Sequence, residues 1–191
     1  MINKFGIGAQ MEASLERAVN VGAWINLRGI WTVEHYRSGQ LISLERDIKN
    51  IVTAEGRDAH LDIMFAAGTQ ITTWYMLTFE SDTNPASGHT YAVPVYTECT
   101  AIDEATRPEW QEGAVSGQSI TNSANKATFT YNATKTIYGA ALIGGGSAPT
   151  TKGDTAGGST LFCSVKFGTA KPVVSTDVLK ITNTINETDV P

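Results

Sequence analysis

The stretches KTIYGAALI (residues 135–143) and TLFCSVKF (residues 160–167) decide the fold predicted for this chain. Each is a strand-length run rich in apolar and β-branched residues, and a Gly/Ser/Thr-rich segment, residues 144–159, separates them. Two more strand-like runs, ATFTY (residues 127–131) and DVLKITNTI (residues 177–185), lie on either side. Strands at this spacing, separated by turns, predict antiparallel pairing. We therefore predict a mainly β protein, an antiparallel β-sandwich of the jelly-roll or immunoglobulin-like type, with one or two short α-helices near the N-terminal half.

A β-hairpin is predicted further upstream. Between residues 30 and 36 polar and apolar residues alternate, which puts Trp31, Val33 and His35 on one face of a strand. A Ser-Gly pair at positions 38–39 follows directly and suits a tight turn. The run after this turn is apolar enough to supply the second strand of the hairpin.

A helix is predicted next, over residues 53–68. It begins at Thr53, a good N-cap residue, and ends at Gly68, which suits a helix C-terminus. Its apolar side consists of Leu61, Met64 and Phe65. A strand over residues 72–79 and a polar loop over residues 80–90 follow.

The N-terminal segment contains a second, amphipathic helical pattern over residues 10–20. Its apolar face is Met11, Leu15, Ala18 and Val19. This stripe can dock on the domain itself or on a neighbouring subunit, so Met11, Leu15 and Val19 are candidate interface residues. We divide the chain into an N-terminal arm with this helix, residues 1–29, and a β-sandwich domain, residues 30–191.

Charge and hydropathy exclude several classes of partner. The chain has 191 residues, with 14 Lys and Arg against 19 Asp and Glu and a net charge of −5. Binding to phosphates needs clustered cations, so we expect neither nucleic acid nor an anionic membrane as partner. No apolar run approaches the ~20 residues that span a bilayer. The first residues also lack the apolar core of a secretory signal, so we expect synthesis and retention in a cytoplasm.

No constellation of residues predicts catalysis, a metal site or a cofactor. The three histidines share no spacing typical of metal ligands, and each is expected at the surface or at an interface. No GxSxG elbow occurs. Cys99 and Cys163 are expected to be reduced and partly buried, and the acidic pair Asp103 and Glu104 to be solvated. We therefore predict that the protein is not an enzyme.

Two features remain as candidate interfaces in the C-terminal half. The run Gly144, Gly145 and Gly146 fails as a phosphate loop, because the G-x-x-x-x-G-K-[ST] pattern and the following helix are missing. It predicts instead a long, flexible hairpin loop, and such loops often carry binding residues. Trp110 stands among Glu109, Gln111 and Glu112, and that setting predicts an exposed aromatic side chain.

Several segments resemble a family of small virion structural proteins of tailed bacteriophages and prophages. They are TQITTWYMLTF (69–79), EATRPEW (104–110), SITNSANKATF (119–129) and KTIYGAALI (135–143), and GGSTLFCSVKF (157–167) and VVSTDVLKIT (173–182) fit the same pattern. The resemblance covers the chain from about Gly29 onward. It implies a component of the phage particle and brings no catalytic residues with it.

Within that family we expect a capsid decoration or cement protein that stabilises the head shell. The alternative is a tail, neck or baseplate accessory protein that binds a receptor or glycan through Trp110, Tyr91 and the 144–159 loop. The expected partners are other virion proteins, either the major capsid protein or tail and neck proteins, together with further copies of this chain. The expected location is the virion, after synthesis in the host bacterial cytoplasm.

Overall fold

The computed structural model describes residues 24–146 and 149–190. The predicted helix over residues 10–20, with Met11, Leu15 and Val19, lies outside the described residues. The strand β1 already begins at Trp24, so residues 24–29, which the sequence placed with the N-terminal arm, pair with the last strand of the sheet.

In the described residues nine strands form two antiparallel sheets, and one helix connects two strands of the same sheet. In chain order the elements are β1 (Trp24–Arg37), β2 (Gln40–Lys49), β3 (Ile51–Val52), α1 (Ala54–Phe65), β4 (Trp74–Phe79), β5 (Ser119–Thr121), β6 (Ala127–Thr130), β7 (Lys135–Gly144), β8 (Thr160–Val173) and β9 (Val178–Val190). The first sheet has the order β2-β1-β9-β5, with β6 also paired to β9, and the second has the order β3-β8-β7-β4. The prediction of a mainly β, antiparallel fold with a short helix is confirmed.

The two sheets pack face to face around one apolar core. Trp31 and Val33 of β1 and Ile181 of β9 face Ile137 of β7 and Val165 of β8, and all five side chains are fully buried. Burying an apolar side chain of this size stabilises the fold by about 1.5–3 kcal/mol. Two sheets that share a core in this way form a β-sandwich.

The connectivity differs from that of an immunoglobulin domain. There the last strand lies at the edge of its sheet. Here β9 is an interior strand, with β1 on one side and β5 and β6 on the other.

The second sheet is buried on its outer face as well. Phe79, Ile143 and Leu161 pack there beneath Tyr91 and Tyr96, which belong to the long connection between β4 and β5. The rings of Phe79 and Tyr96 stack with centroids 4.5 Å apart. A strand covered on both faces has no polar side, and this explains why KTIYGAALI does not alternate.

The helix α1 begins as predicted and ends slightly earlier. The Gly56 N–H donates to the Thr53 hydroxyl oxygen over 2.9 Å, which confirms Thr53 as the N-cap. The C-cap is Ala66 instead of Gly68, although the Gly68 N–H still donates to the Asp62 carbonyl over 3.0 Å. Gly56 packs against β8, where a Cβ atom would clash with the Phe162 carbonyl.

Candidate functional site

An apolar groove opens between the two sheets at the end of the sandwich where β1 begins. Its volume is about 340 Å³. β1, β5 and β9 form one wall, while α1 and the starts of β4 and β8 form the other. Most of the lining is apolar: Leu27, Trp74, Trp110, Val115, Ile120, Leu142, Phe162 and Ile185.

The groove continues the inward-facing row of β1 and β9. Leu27 and Ile185 lie on the same faces as the core residues Trp31 and Ile181, but they are only partly buried. Gly29 interrupts this row of side chains. A larger residue does not fit there, because a Cβ atom would lie 2.8 Å from the Asn50 side-chain nitrogen. The Gly29 N–H donates instead to Asn50 Oδ1 over 2.7 Å. The apolar face of the sheet therefore runs out of the core and into the groove.

Two tryptophans shape the opposite wall, and one of them corrects a prediction. Trp110 was expected to be exposed, but only 3% of it is accessible. Its backbone N–H donates to the Trp74 carbonyl over 2.8 Å, and its indole N–H donates to the Asn183 carbonyl over 3.4 Å. The chain is extended here, so Glu109 and Gln111 turn outward while Trp110 turns inward. Charged neighbours along the chain therefore did not predict the face that this tryptophan takes.

The rim of the groove carries a few polar groups. His60 Nε2 lies 3.2 Å from Glu187 Oε1, and both side chains are partly exposed. The Glu187 N–H donates to the Gln118 carbonyl over 3.0 Å, which fixes the edge next to β5. An apolar cavity with a small polar rim suits the binding of an apolar surface or group.

Exposed apolar side chains extend from this groove along α1. A smaller cavity of about 100 Å³ shares His60, Trp74 and Phe162 with the groove and reaches Met64. The predicted apolar side of α1 faces solvent, with Leu61 53%, Met64 61% and Phe65 80% exposed. In contrast, Gly56 at the start of the helix is buried against β8. The helix thus packs through its first turn and presents its apolar last turns outward.

The Gly144–Gly146 run is a turn and not a free surface. Gly144 is the last residue of β7, and a Cβ atom there would clash with the Trp74 ring. Gly145 and Gly146 both have φ of +67°, a conformation that glycine adopts readily. At Gly146 a Cβ atom would also lie 2.5 Å from the Ser159 nitrogen. These glycines allow the chain to turn sharply directly after β7.

A buried arginine anchors the loop residues described after the gap, 149–159. The Arg107 guanidinium donates to both carboxylate oxygens of Glu98, over 2.9 and 2.6 Å, and to the Tyr91 hydroxyl over 3.0 Å. It also donates to the carbonyls of Pro149 and Asp154, over 3.1 and 2.9 Å. Burial raises the pKa of Tyr91, so its hydroxyl stays protonated at neutral pH. Arg107 therefore ties the described part of the loop to the β4–β5 connection, which packs over the outer face of the second sheet. The sequence predicted a flexible loop, but these hydrogen bonds hold it in place.

A second buried ionic cluster joins β1 to the turn before β9. His35 was expected at the surface, but it is buried, with Nε2 2.9 Å from Asp177 Oδ2. Arg37 contributes a bond of 2.7 Å to the same carboxylate oxygen, and the Val174 N–H another of 3.0 Å. The Arg37 guanidinium holds the pKa of Asp177 well below its usual range. Within the described chain, the His35 ring has no hydrogen bond to a hydroxyl or thiol, so the cluster lacks the nucleophile of a catalytic triad.

The two cysteines are unsuited to nucleophilic chemistry. Cys99 and Cys163 were expected to be partly buried, and both are free and fully buried. Burial raises the pKa of the Cys163 thiol to about 12 and also raises the pKa of Cys99. The thiolate is the reactive form, so both side chains act as small apolar core residues at neutral pH.

The described part of the chain also contains no grouping of three or more His, Cys, Asp or Glu side chains that could hold a metal ion. None of the helices described is long and apolar enough to cross a membrane. Comparison with known proteins finds no protein-family model that matches the chain and no curated protein that matches it.

Proposed function

We propose that this protein is a non-catalytic structural component of a tailed-bacteriophage particle, and that it binds a neighbouring particle protein through the exposed face of α1. The observation that carries this proposal is the outward-facing set of Leu61, Met64 and Phe65. Contiguous apolar side chains on the surface of a folded domain mark sites of protein interaction. The kind of assembly is suggested by the resemblance to virion structural proteins of the segments 69–79, 104–110, 119–129, 135–143, 157–167 and 173–182.

The role within the particle that fits best is capsid decoration. A cement protein acts through surface contacts, and this sandwich offers an apolar helix face supported by a rigid two-layer core. Its partners are then the major capsid protein and further copies of itself, and its location is the virion, after synthesis in the host cytoplasm. Symmetric shells repeat each contact many times, so even a small patch contributes substantially to shell stability.

The alternative role as a receptor- or glycan-binding tail protein has less support. It depends on Trp110, Tyr91 and the 144–159 loop as an accessible platform. Trp110 and Tyr91 are buried, and Arg107 anchors the loop through the Pro149 and Asp154 carbonyls. An enzymatic role has less support still. Burial keeps the Cys163 thiol protonated, and the buried His35 ring is paired with Asp177, so neither is placed to act on a substrate.

Quantitative mass spectrometry of purified particles tests the proposal directly. We expect copies on the order of hundreds per particle for a shell protein, whereas about six or twelve would indicate the tail or neck. A particle that lacks the protein altogether would contradict the proposal.

A matched pair of variants tests the surface. We expect Phe65→Glu to abolish incorporation into particles, because it places a charge at the most exposed residue of the apolar face. Ile42→Glu is the control, since Ile42 is also exposed but lies on β2, near the other end of β1. Equal incorporation of both variants would show that α1 is not the contact surface.

A further inference from the structure

The described chain enters the fold beside the apolar groove. Trp24, the first residue of β1, pairs with Val190 at the end of β9. Three residues later Leu27 lines the groove, opposite Glu187 on its rim. The start of β1 therefore lies close to the mouth of the groove.

Residues 10–20 have the pattern that such a groove accepts. Met11, Leu15 and Val19 recur every four residues, with Ala18 on the same face, while Glu16 and Arg17 lie away from it. At 1.5 Å per residue the stripe is about 12 Å long in a helix. Insertion of an amphipathic helix into an apolar groove is a common mode of recognition, with anchors at this spacing. The partly buried apolar side chains of Leu27, Trp74 and Ile120, which line the groove, match such anchors in chemistry.

The connection between this stripe and β1 is long enough. Val19 is five residues before Trp24, and an extended chain spans at most about 3.6 Å per residue, or roughly 18 Å in all. Leu27 lies three residues beyond Trp24, about 10 Å along the strand. The segment can thus fold back from Trp24 over the groove.

We propose that the groove binds the chain's own residues 10–20, with Met11, Leu15 and Val19 directed at the partly buried side chains that line it, Leu27, Trp74 and Ile120. A short connection gives the segment an effective concentration on the order of millimolar, which favours it over the same segment of another copy. This inference does not depend on a role in a phage particle. The groove then forms a contact within the chain, while Phe65, at the end of α1, stays accessible to a partner.

Photo-crosslinking in the full-length chain tests this assignment. A p-benzoylphenylalanine replaces Leu15 in one variant and Ala13, on the opposite helical face, in the control. After irradiation, mass spectrometry maps the attachment points. We expect the probe at position 15 to label the peptide with residues 115–120, four of which line the groove, and the probe at position 13 to label it at least fivefold less.

Two additions make the result decisive. Val115→Glu, at an exposed position on the groove wall, is expected to lower the cross-linking yield from position 15 severalfold, while circular dichroism confirms that the variant is folded.

Mixing isotope-labelled and unlabelled chains distinguishes cross-links within a chain from those between copies. Cross-links between copies would assign the groove to a second copy and overturn the proposal. Equal labelling from positions 13 and 15, or labelling away from the groove, would also overturn it.

Discussion

Replacing Arg107 by methionine removes the guanidinium group that joins the β4–β5 connection to residues 149–159 over the outer face of the second sheet. The guanidinium is buried and donates to Glu98, Tyr91 and the carbonyls of Pro149 and Asp154. Methionine has similar length and no charge, so the main change is the loss of these bonds. The Glu98 side chain, only 10% exposed, would then lack its counter-ion.

Removal of one partner of a buried ion pair costs about 3–5 kcal/mol, and we expect Arg107→Met to lower the free energy of unfolding by that amount. The assay is urea denaturation followed by tryptophan fluorescence. Lys166→Met is the matched control, because Lys166 pairs with Asp82 at the surface, with 33% and 63% of the side chains exposed. Such surface pairs contribute about 0–1 kcal/mol.

The double variant Glu98→Gln/Arg107→Met separates the loss of the pair from the cost of an uncompensated carboxylate. We expect it to be more stable than Arg107→Met alone, because the glutamine is neutral. Hydrogen exchange should also quicken in residues 149–159, which Arg107 anchors. A loss below about 1 kcal/mol for Arg107→Met, equal to that for Lys166→Met, would refute this account of the network.

Three other predictions concern separate parts of the fold. Arg37 and His35 favour the charged form of Asp177, so its contribution to stability is present above the unfolded pKa of about 4 and is lost as pH falls below it. The difference in urea midpoint between the native protein and Asp177→Asn should therefore shrink from pH 7 to pH 3, and a constant difference would contradict this. Thr53→Ala should lower the free energy of unfolding by about 1–2 kcal/mol, because Thr53 caps α1 and its hydroxyl also donates to the Leu161 carbonyl; thermal melts measure this, and an unchanged melting temperature would count against it. Cys99 and Cys163 should resist a thiol reagent such as Ellman's reagent in the native state and react fully in urea, whereas rapid labelling of the native protein would show that the core opens readily.

Local patterns predicted the elements whose signal lies within a few residues. Alternation predicted that Trp31, Val33 and His35 share one face of β1, and Thr53 predicted the start of α1. The Ser-Gly turn predicted the hairpin, since β1 and β2 pair from Arg37 and Gln40 outward. In each case the side chains that decide the structure are neighbours in sequence.

Features that depend on distant partners were missed. The strand β8 was predicted to end at Phe167, but it continues to Val173. Lys171 is buried within that extension because its Nζ atom lies 2.7 Å from Glu45 Oε2, 126 residues away. The pair His35–Asp177, 142 residues apart, has the same character. Arg107 and Glu98 are only nine residues apart, but no local pattern marks a charge that will be buried with a partner.

The pairing of β1 with β9 bears on the order of events during synthesis. Ile30 of β1 finds its partner in Thr184, at a separation of more than 150 residues. Translation at 5–20 residues per second delays that partner by roughly 10–30 s. During this interval only the hairpin with β2 is available to β1, and its other edge stays open on the nascent chain. We expect the first sheet to close as the last step of folding, so a ribosome stalled before residue 178 should hold a chain that proteases still cleave within β1.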